Sequence, residues 1–478
     1  MKKLNINYNE YRNCFEDIRN IKSDLIWGDP GVITDPWFSY IVPVYKRADL
    51  LKETLMSIIQ QQPVEFKWDI VVVDNECGGE NDTERLISDL NDRRILYYRN
   101  RENLGPDGNY NRCIELARGK WLGMVHGDDL VIEDHLKRMG NYIKQNERGR
   151  KELAYISPRY SDFSNSGMIS LKRGSWDDTY IAYKGKLKRY RQIDCIITGY
   201  SVGLPSFGTV MNRDVMLETG GFNENLGICE DVITPYKLMK KYRVFVTPEL
   251  MGYHRFDGNE SIKTKTVFSI CEAMTDFREY LFSRNILSRI WGVIARPVLF
   301  EALTEYCSYL SRFGKRTLNK SDFQYIYPGK RKANEVSSFL FDVVLRIYCF
   351  LTGAVSFTEG VEHMVDIIAD SIKKFGTDFL IIYGAGKAGK NAEKVLRRKY
   401  GIRTEYFAVT DTQTDEKYVN GIRVVGIDEL RCYNKSSLVV IAVTIPEFFD
   451  DMYVTLKKMG FENIIALDRR FRRSDDLS

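Results

Sequence analysis

Between residues 40 and 146, short apolar runs rich in β-branched residues alternate with stretches whose apolar positions recur at helical spacing. The runs at 40–44, 68–73, 95–98 and 121–125 read as strands, and 49–61, 82–90, 108–117 and 132–146 read as helices. Parallel strands cannot be joined by a tight turn and need a crossover, which an intervening helix supplies. The alternation therefore predicts an α/β fold built on a doubly wound, largely parallel sheet. In open sheets of this kind ligands bind beyond the carboxyl ends of the strands, which directs attention to residues 43–47, 74–75 and 126–129.

The residues at those strand ends carry chemistry. Asp128 and Asp129 are adjacent carboxylates that repel one another unless a cation intervenes. Hard oxygen donors suit Mg²⁺ or Mn²⁺, ions that bridge carboxylates to phosphates. The alternative is that the pair only caps the helix predicted from 132. Asp74 can accept a hydrogen bond from a pyrimidine ring N–H, Tyr45 can pack near a base, and Arg47 can contact a base or a phosphate. Taken singly, these are equally a turn former, a core aromatic and a solvated charge.

Length allows two or three domains in a chain of 478 residues, and 44% hydrophobic with 28% charged residues is ordinary for a soluble globular protein. A net charge of +5 is too small at this size to imply nucleic-acid binding, although basic residues cluster at 184–191 and 469–473. The nine cysteines show no paired spacing, so neither a zinc site nor a disulfide framework is indicated, and a reducing cytoplasm is expected. Residues 1–27 lack a signal-peptide core, and Tyr11, Cys14, Phe15, Ile18, Ile21 and Leu25 recur as in a packed helix. The apolar stretch 339–355 contains Asp342 and Arg346 and is short for a membrane span, so it reads as a core helix. Residues 151–262 are irregular, ending in a helix at 231–241 and a strand at 243–247; 267–375 is helical. There Ile286, Leu287, Ile290, Trp291 and Ile294 are expected to bury against a flanking domain. The alternative is that this zone, with Arg284, Arg289, Arg296 and Lys330-Arg331-Lys332, touches a membrane surface.

A second alternating unit begins near 378. The strand 379–383 runs into Gly384-Ala385-Gly386-Lys387-Ala388-Gly389 and a helix at 390–399, with Asp411 beyond the strand 406–409 and further strands at 438–443 and 463–467. A G-x-G-x-x-G between strand and helix, with an acid about twenty residues on, predicts a Rossmann-like fold. Gly384, Gly386, Gly389 and Asp411 then form a second nucleotide or sugar-nucleotide site, or the glycines serve close packing in a scaffold.

The ordered set Ile41-Val42-Pro43-Val44-Tyr45-Lys46-Arg47, Val72-Val73-Asp74-Asn75, Asn103-Leu104-Gly105 through Asn109 and Asn111, His126-Gly127-Asp128-Asp129, Gly220-Gly221-Phe222-Asn223-Glu224 and Glu230-Asp231 resembles the family 2 glycosyltransferases of GT-A fold, over about residues 38–262. The resemblance implies a sugar-nucleotide donor site at Pro43, Tyr45, Arg47, Asp74, Asn103, Gly105, Asn109 and Asp128. Within it Asp74 meets the base, Asp128 the ribose or metal, and Asp129 a Mn²⁺ or Mg²⁺ ion on the diphosphate. Asp231 matches the general base, with Glu230 the next candidate, and His254 falls where some relatives add a metal or diphosphate ligand; a structural histidine fits as well. His126 departs from the pattern, standing where many relatives carry the first Asp of Asp-x-Asp.

The expected activity is inverting transfer from a nucleoside-diphosphate sugar, a UDP-sugar by preference, to a glycan or lipid-linked acceptor in bacterial surface polysaccharide synthesis. It would take place in the cytoplasm or at the inner face of the membrane. Tyr160, Trp176, Tyr180 and Tyr200 are candidates to stack on acceptor sugars. The expected divisions are a helical extension at 1–37, the GT-A domain at 38–266, a helical region at 267–375 and the Rossmann-like domain at 376–478. Competing classes are a sugar nucleotidyltransferase, disfavoured because Lys46-Arg47-Ala48-Asp49-Leu50 lacks glycine; a non-catalytic sugar-nucleotide binder, raised by His126; and an oxidoreductase, suggested only by the C-terminal unit.

Overall fold

The computed structural model describes residues 8, 10–79, 81–163, 169–173, 182–183, 187–201, 207–255, 262–311, 316–326, 333–352, 354–355, 369, 379–410, 417–442 and 446–466. Asp411, Trp176, Tyr180, Lys330-Arg331-Lys332 and the basic cluster at 469–473 lie outside them. The chain divides into two compact units, one of residues 1–160, 174–177 and 183–347, the other of 161–173, 178–182 and 348–478.

In the first unit the predicted strands form, as Phe38–Val44, Trp68–Asp74, Ile95–Asn100 and Trp121–Val125. Phe38–Val44 lies between Trp68–Asp74 and Trp121–Val125, and Ile95–Asn100 pairs on the far side of Trp68–Asp74, all in parallel. Phe207–Asn212 then adds antiparallel to Trp121–Val125 and also pairs with Leu153–Phe163. The central strands are apolar along their length because helices cover both faces. Ile70, Val71, Val72 and Val73 are fully buried, and each such side chain contributes about 1.5–3 kcal/mol relative to exposure. The helices Ala48–Ile59, Asp82–Leu90 and Gly105–Leu116 make the crossovers. Asn81 caps the second, its side chain accepting the Glu84 N–H at 3.0 Å.

Three expectations and one alternative are corrected. Among the described residues the N-terminal segment is helical only over Phe15–Ile18; Ser23–Trp27 is an edge strand antiparallel to Ile95–Asn100. Its ladder bonds satisfy an otherwise bare sheet edge, and with Leu25 and Ile26 both more than a third exposed no apolar stripe holds a helix there. Asp128-Asp129 does not cap the next helix, which runs His135–Asn146 and is preceded by a short strand, Leu130–Val131. In the helical zone, Ile286 (67%), Leu287 (74%) and Ile290 (58%) are exposed, not buried. The helix Ile286–Ser311 is held by its other side. There the Trp291 indole N–H donates to the Ile196 and Ile197 carbonyls at 3.0 and 3.1 Å, and its ring stacks on Phe341 at 5.3 Å. Glu335–Thr352, expected in the core, likewise buries Phe341 and Leu345 while exposing Val336, Phe339 and Ile347. Among the described residues no helix is long and apolar enough to cross a membrane.

The second unit is a parallel sheet in the order Ile422–Gly426, Tyr406–Val409, Leu380–Tyr383, Leu438–Ile441, Asn463–Ala466. The strand Ile169–Arg173, supplied from far upstream, extends it in parallel beside Asn463–Ala466. Apolar clusters pack on both faces, including Leu380, Ile382, Leu396 and Phe407 on one and Ile381, Tyr383, Val439 and Leu456 on the other. The glycine run joins Leu380–Tyr383 to the helix Lys387–Tyr400, as its spacing requires.

Candidate active site

The carboxyl ends of the four parallel strands in the first unit gather most of the predicted residues. Val44 pairs with Asp74 and Asp74 with Arg99 across the sheet, and Trp121–Val125 delivers His126 to Asp129 at the same edge. Phe38–Val44 leaves through Lys46 and Arg47, both left-handed with φ 61°. Two successive non-glycine residues there cost about 1–2 kcal/mol each and turn the chain sharply into Ala48–Ile59. The turn leaves Tyr45 half exposed, and Arg47 donates from Nη1 to Asp128 Oδ2 at 3.1 Å. The cation demanded by the paired carboxylates is thus partly supplied by the protein itself.

Arg255, the last residue of the strand Arg243–Arg255, holds the acidic turn in shape. Its backbone N–H donates to Asp129 Oδ1 and its Nε to the Asp128 carbonyl, both at 2.9 Å, while its Nη2 reaches Glu53. Asp129 Oδ2 is left buried without a hydrogen-bond partner, and burial pushes this carboxyl well above the usual range. His126 Nε2 is also buried and unpartnered; burial lowers the imidazole from 6.5 to about 4, so the ring is neutral. Donor atoms of His126, Asp128 and Asp129 all lie within 4.8 Å of one another. His254 is close enough for its charge to act on Asp129 and His126, and its ring meets Tyr160 edge-on at 6.0 Å.

Asp231 is the second residue of the helix Glu230–Leu238, where the helix dipole favours an anion. Burial nevertheless raises it from 3.8 to about 7, the charge of Asp107 adding to the rise and the Val232 N–H opposing it. Its Oδ1 is buried and unpartnered. Glu230 is engaged differently, accepting from the Thr234 hydroxyl and from the Asn223 N–H at 3.2 Å, which ties the 220–224 loop to the helix. That loop is clamped again by Asn111, whose side chain exchanges two 2.8 Å bonds with the Phe222 backbone. Gly221 is required there: its φ is +73°, and a Cβ would sit 2.2 Å from Asn111 Oδ1. Tyr110 stands among the acids. Its ring stacks on His126 at 5.2 Å and meets Phe222 edge-on, and its hydroxyl feels the charges of Asp107, Asp231, Glu230 and Asp128.

Other expected donor residues are placed as supports. Asp74 is fully buried, with Oδ1 accepting the Glu76 N–H at 2.8 Å and Oδ2 accepting from Asn81 and Tyr97 at 2.9 and 2.8 Å. Oδ2 takes two bonds and Oδ1 one, so Oδ1 keeps one acceptor position for the expected contact with a base. Asn75 bonds Asn103, Gly105 and Leu104, and Asn100 links Asn75 to Asn109, whose amide reaches the Val73 carbonyl. These asparagines fix the loop over the strand ends. Pro43 is buried in the strand. Arg255, Tyr110 and Asp107, which burial and Glu224 raise to about 6, are site residues the sequence motifs do not name, although Asp107 lies within the run from Asn103 to Asn109, Tyr110 stands between Asn109 and Asn111, and Arg255 follows His254.

In an open α/β sheet ligands bind at the carboxyl edge of the parallel strands, and here that edge is acidic and partly unsatisfied. Residues 39–203, about a third of the chain, match the family described as "Glycosyl transferase family 2". Relatives include an uncharacterized glycosyltransferase of Mycoplasma genitalium, 22% identical over 46% of this chain and 69% of its own. The succinoglycan biosynthesis protein ExoO of Rhizobium meliloti is 32% identical over 23% of this chain and 30% of its own. The abequosyltransferase RfbV of Salmonella typhimurium is 32% identical over 22% and 32%. The chain thus spans about a third of the length of the last two. Among solved structures it is similar to S. aureus TarS, at TM-score 0.40 and 16% identity over 64% of this chain and 50% of that one.

In the second unit, Gly384 has φ +119°, and a Cβ on Gly389 would lie 2.1 Å from the Gly384 carbonyl, so Gly389 serves close packing of helix on strand. A Cβ on Gly386 would meet nothing within 4 Å.

Proposed function

We propose that this protein transfers a sugar from a nucleoside-diphosphate sugar to an acceptor hydroxyl with inversion, using a divalent ion at Asp128-Asp129 and Asp231 as general base. The observation that carries the reading is Asp231: a carboxylate with an unpartnered oxygen and a pKa near neutrality, sharing the surroundings of Tyr110 with Asp128. The residues fit a metal, because buried Asp129 Oδ2 and His126 Nε2 both lack partners. When bound, the ion neutralises the diphosphate leaving group as a Lewis acid. Arg47, beside Asp128 on an exposed turn, swings to a phosphate, and Tyr45 packs on the base. Asp231 takes the proton of the acceptor hydroxyl as it attacks from the face opposite the leaving group.

A uridine donor would meet Asp74 through Oδ1, which accepts one bond, from the Glu76 N–H, of the two it can take. A hydrolysis screen over UDP-, GDP- and dTDP-sugars with Mn²⁺ tests the donor, and no turnover with any of them refutes the proposal. The likeness to ExoO and RfbV supports an acceptor in surface polysaccharide assembly, a glycan or a lipid-linked saccharide. For a lipid-linked acceptor, the exposed Ile286, Leu287, Ile290 and Val293 beside Arg284 and Arg289 suit peripheral contact with an anionic bilayer. Co-sedimentation with anionic liposomes at physiological salt checks this, and no co-pelleting removes it. In the second unit the open space over Gly386 suits a nucleotide phosphate at the helix N-terminus, the second site expected from the glycine spacing.

A further inference from the structure

Asp128 and Asp129 alone do not account for the unpartnered ring nitrogen of His126 beside them. His126 is the first residue after Trp121–Val125, and its ring is aligned by the 5.2 Å stack on Tyr110. Tyr110 is in turn braced edge-on by Phe222, whose backbone Asn111 grips from both sides. A buried, unpartnered ring nitrogen is costly unless something fills the position it faces. A ring nitrogen of His126 and one carboxylate oxygen each of Asp128 and Asp129 lie within 4.8 Å of one another, and one oxygen of Asp129 is equally unpartnered. On an octahedral ion with bonds of about 2.1 Å neighbouring ligands are about 3 Å apart and opposite ones about 4.2 Å, so donors already within 4.8 Å of one another come onto one cation by side-chain rotation. An aspartate at position 126 would make the site all oxygen, the donor set that suits Mg²⁺. Imidazole nitrogen instead favours the later divalent transition ions, in the order Mn²⁺, Fe²⁺, Co²⁺.

We infer that His126 is a direct ligand of the ion, making a nitrogen-plus-two-carboxylate site that selects a transition divalent cation over Mg²⁺. The inference rests on the metal reading of the same site and adds both the third ligand and the ion's class. Tyr110 acts as a positioning residue, holding the imidazole plane so that its lone pair points at the ion and not at solvent.

The test is pulsed electron paramagnetic resonance on Mn²⁺ bound to the full chain, alone and with inorganic pyrophosphate, a diphosphate probe that carries no nitrogen. Wild type should show the ¹⁴N modulation of a coordinated imidazole. His126→Phe, which keeps a ring to stack on Tyr110 and removes the lone pair, should lose it, whereas His254→Ala should keep it. By competition, wild type should prefer Mn²⁺ over Mg²⁺ by about tenfold or more, and His126→Asp should bring that ratio towards one while still binding metal. Bound Mn²⁺ without ¹⁴N modulation in wild type overturns the role of His126 and leaves the carboxylate site standing. Modulation lost in His254→Ala and kept in His126→Phe transfers the role to His254 and also overturns the inference. No Mn²⁺ binding even with pyrophosphate sinks this inference and the metal reading together.

Discussion

Replacing Asp231 by Asn separates its catalytic role from its structural cost. Asn keeps the size of the side chain but cannot accept a proton, so the rate should fall by the ~10²–10⁴-fold typical of losing a general base, about 2.7–5.4 kcal/mol of barrier. Stability should move the other way. The folded-state pKa of about 7 lies above the ordinary 3.8, so between those values the folded state holds a proton that the unfolded chain has lost. Stability contributed by this group is full below about pH 3.8 and falls as pH rises to about 7, and roughly 3 units at 1.36 kcal/mol each set a ceiling of about 4 kcal/mol. Asp231→Asn removes that penalty, so at pH 8 the variant should be inactive yet more resistant to urea than wild type, with the gap closing towards pH 4. Wild-type kcat/KM should rise tenfold per pH unit up to about pH 7 and then level off. The assays are initial rates of nucleoside diphosphate release from pH 5 to 8.5 and urea melts at both extremes. A variant with near wild-type turnover, or a wild-type profile flat across pH 5–8, would refute the assignment of the base.

Three other outcomes are expected. Asp129→Ala should abolish turnover and weaken donor binding while the fold survives, because the carboxylate holds only one local bond to the Arg255 N–H; chelator-treated enzyme working at full rate would contradict it. Lys46→Gly relieves one of two left-handed residues at φ 61° and should stabilise the chain by about 0.5–1 kcal/mol in a urea melt, with donor affinity carried by Arg47 retained. In the second unit, Gly389→Ala drives a Cβ to 2.1 Å from a carbonyl and should destabilise by about 1–3 kcal/mol. Gly386→Val should fold normally and lose binding of UDP-sugars, NAD or CoA in calorimetry on the full chain; no heat with any of them in wild type marks the unit as a scaffold.

The architecture was legible wherever it depends on neighbours in the chain. The strands at 68–74 and 121–125 follow from local runs of apolar residues, and the chemistry at the carboxyl edge follows from the order of parallel strands. The glycine spacing alone placed the turn between Leu380–Tyr383 and its helix. What the tertiary structure decided concerns partners distant in sequence. Ser23–Trp27 became a strand because an edge some 75 residues away offered ladder bonds, and Ile169–Arg173 joined a sheet nearly 300 residues downstream. Asp74 became a buried brace because Asn81 and Tyr97 converge on it, while Asp129 took its orientation from Arg255, 126 residues on. Residue type determined which groups could ionise, ligate or stack. Burial and the completion or absence of hydrogen bonds, which depend on the whole fold, separated Glu230, with its bonds made, from Asp231, with one oxygen free.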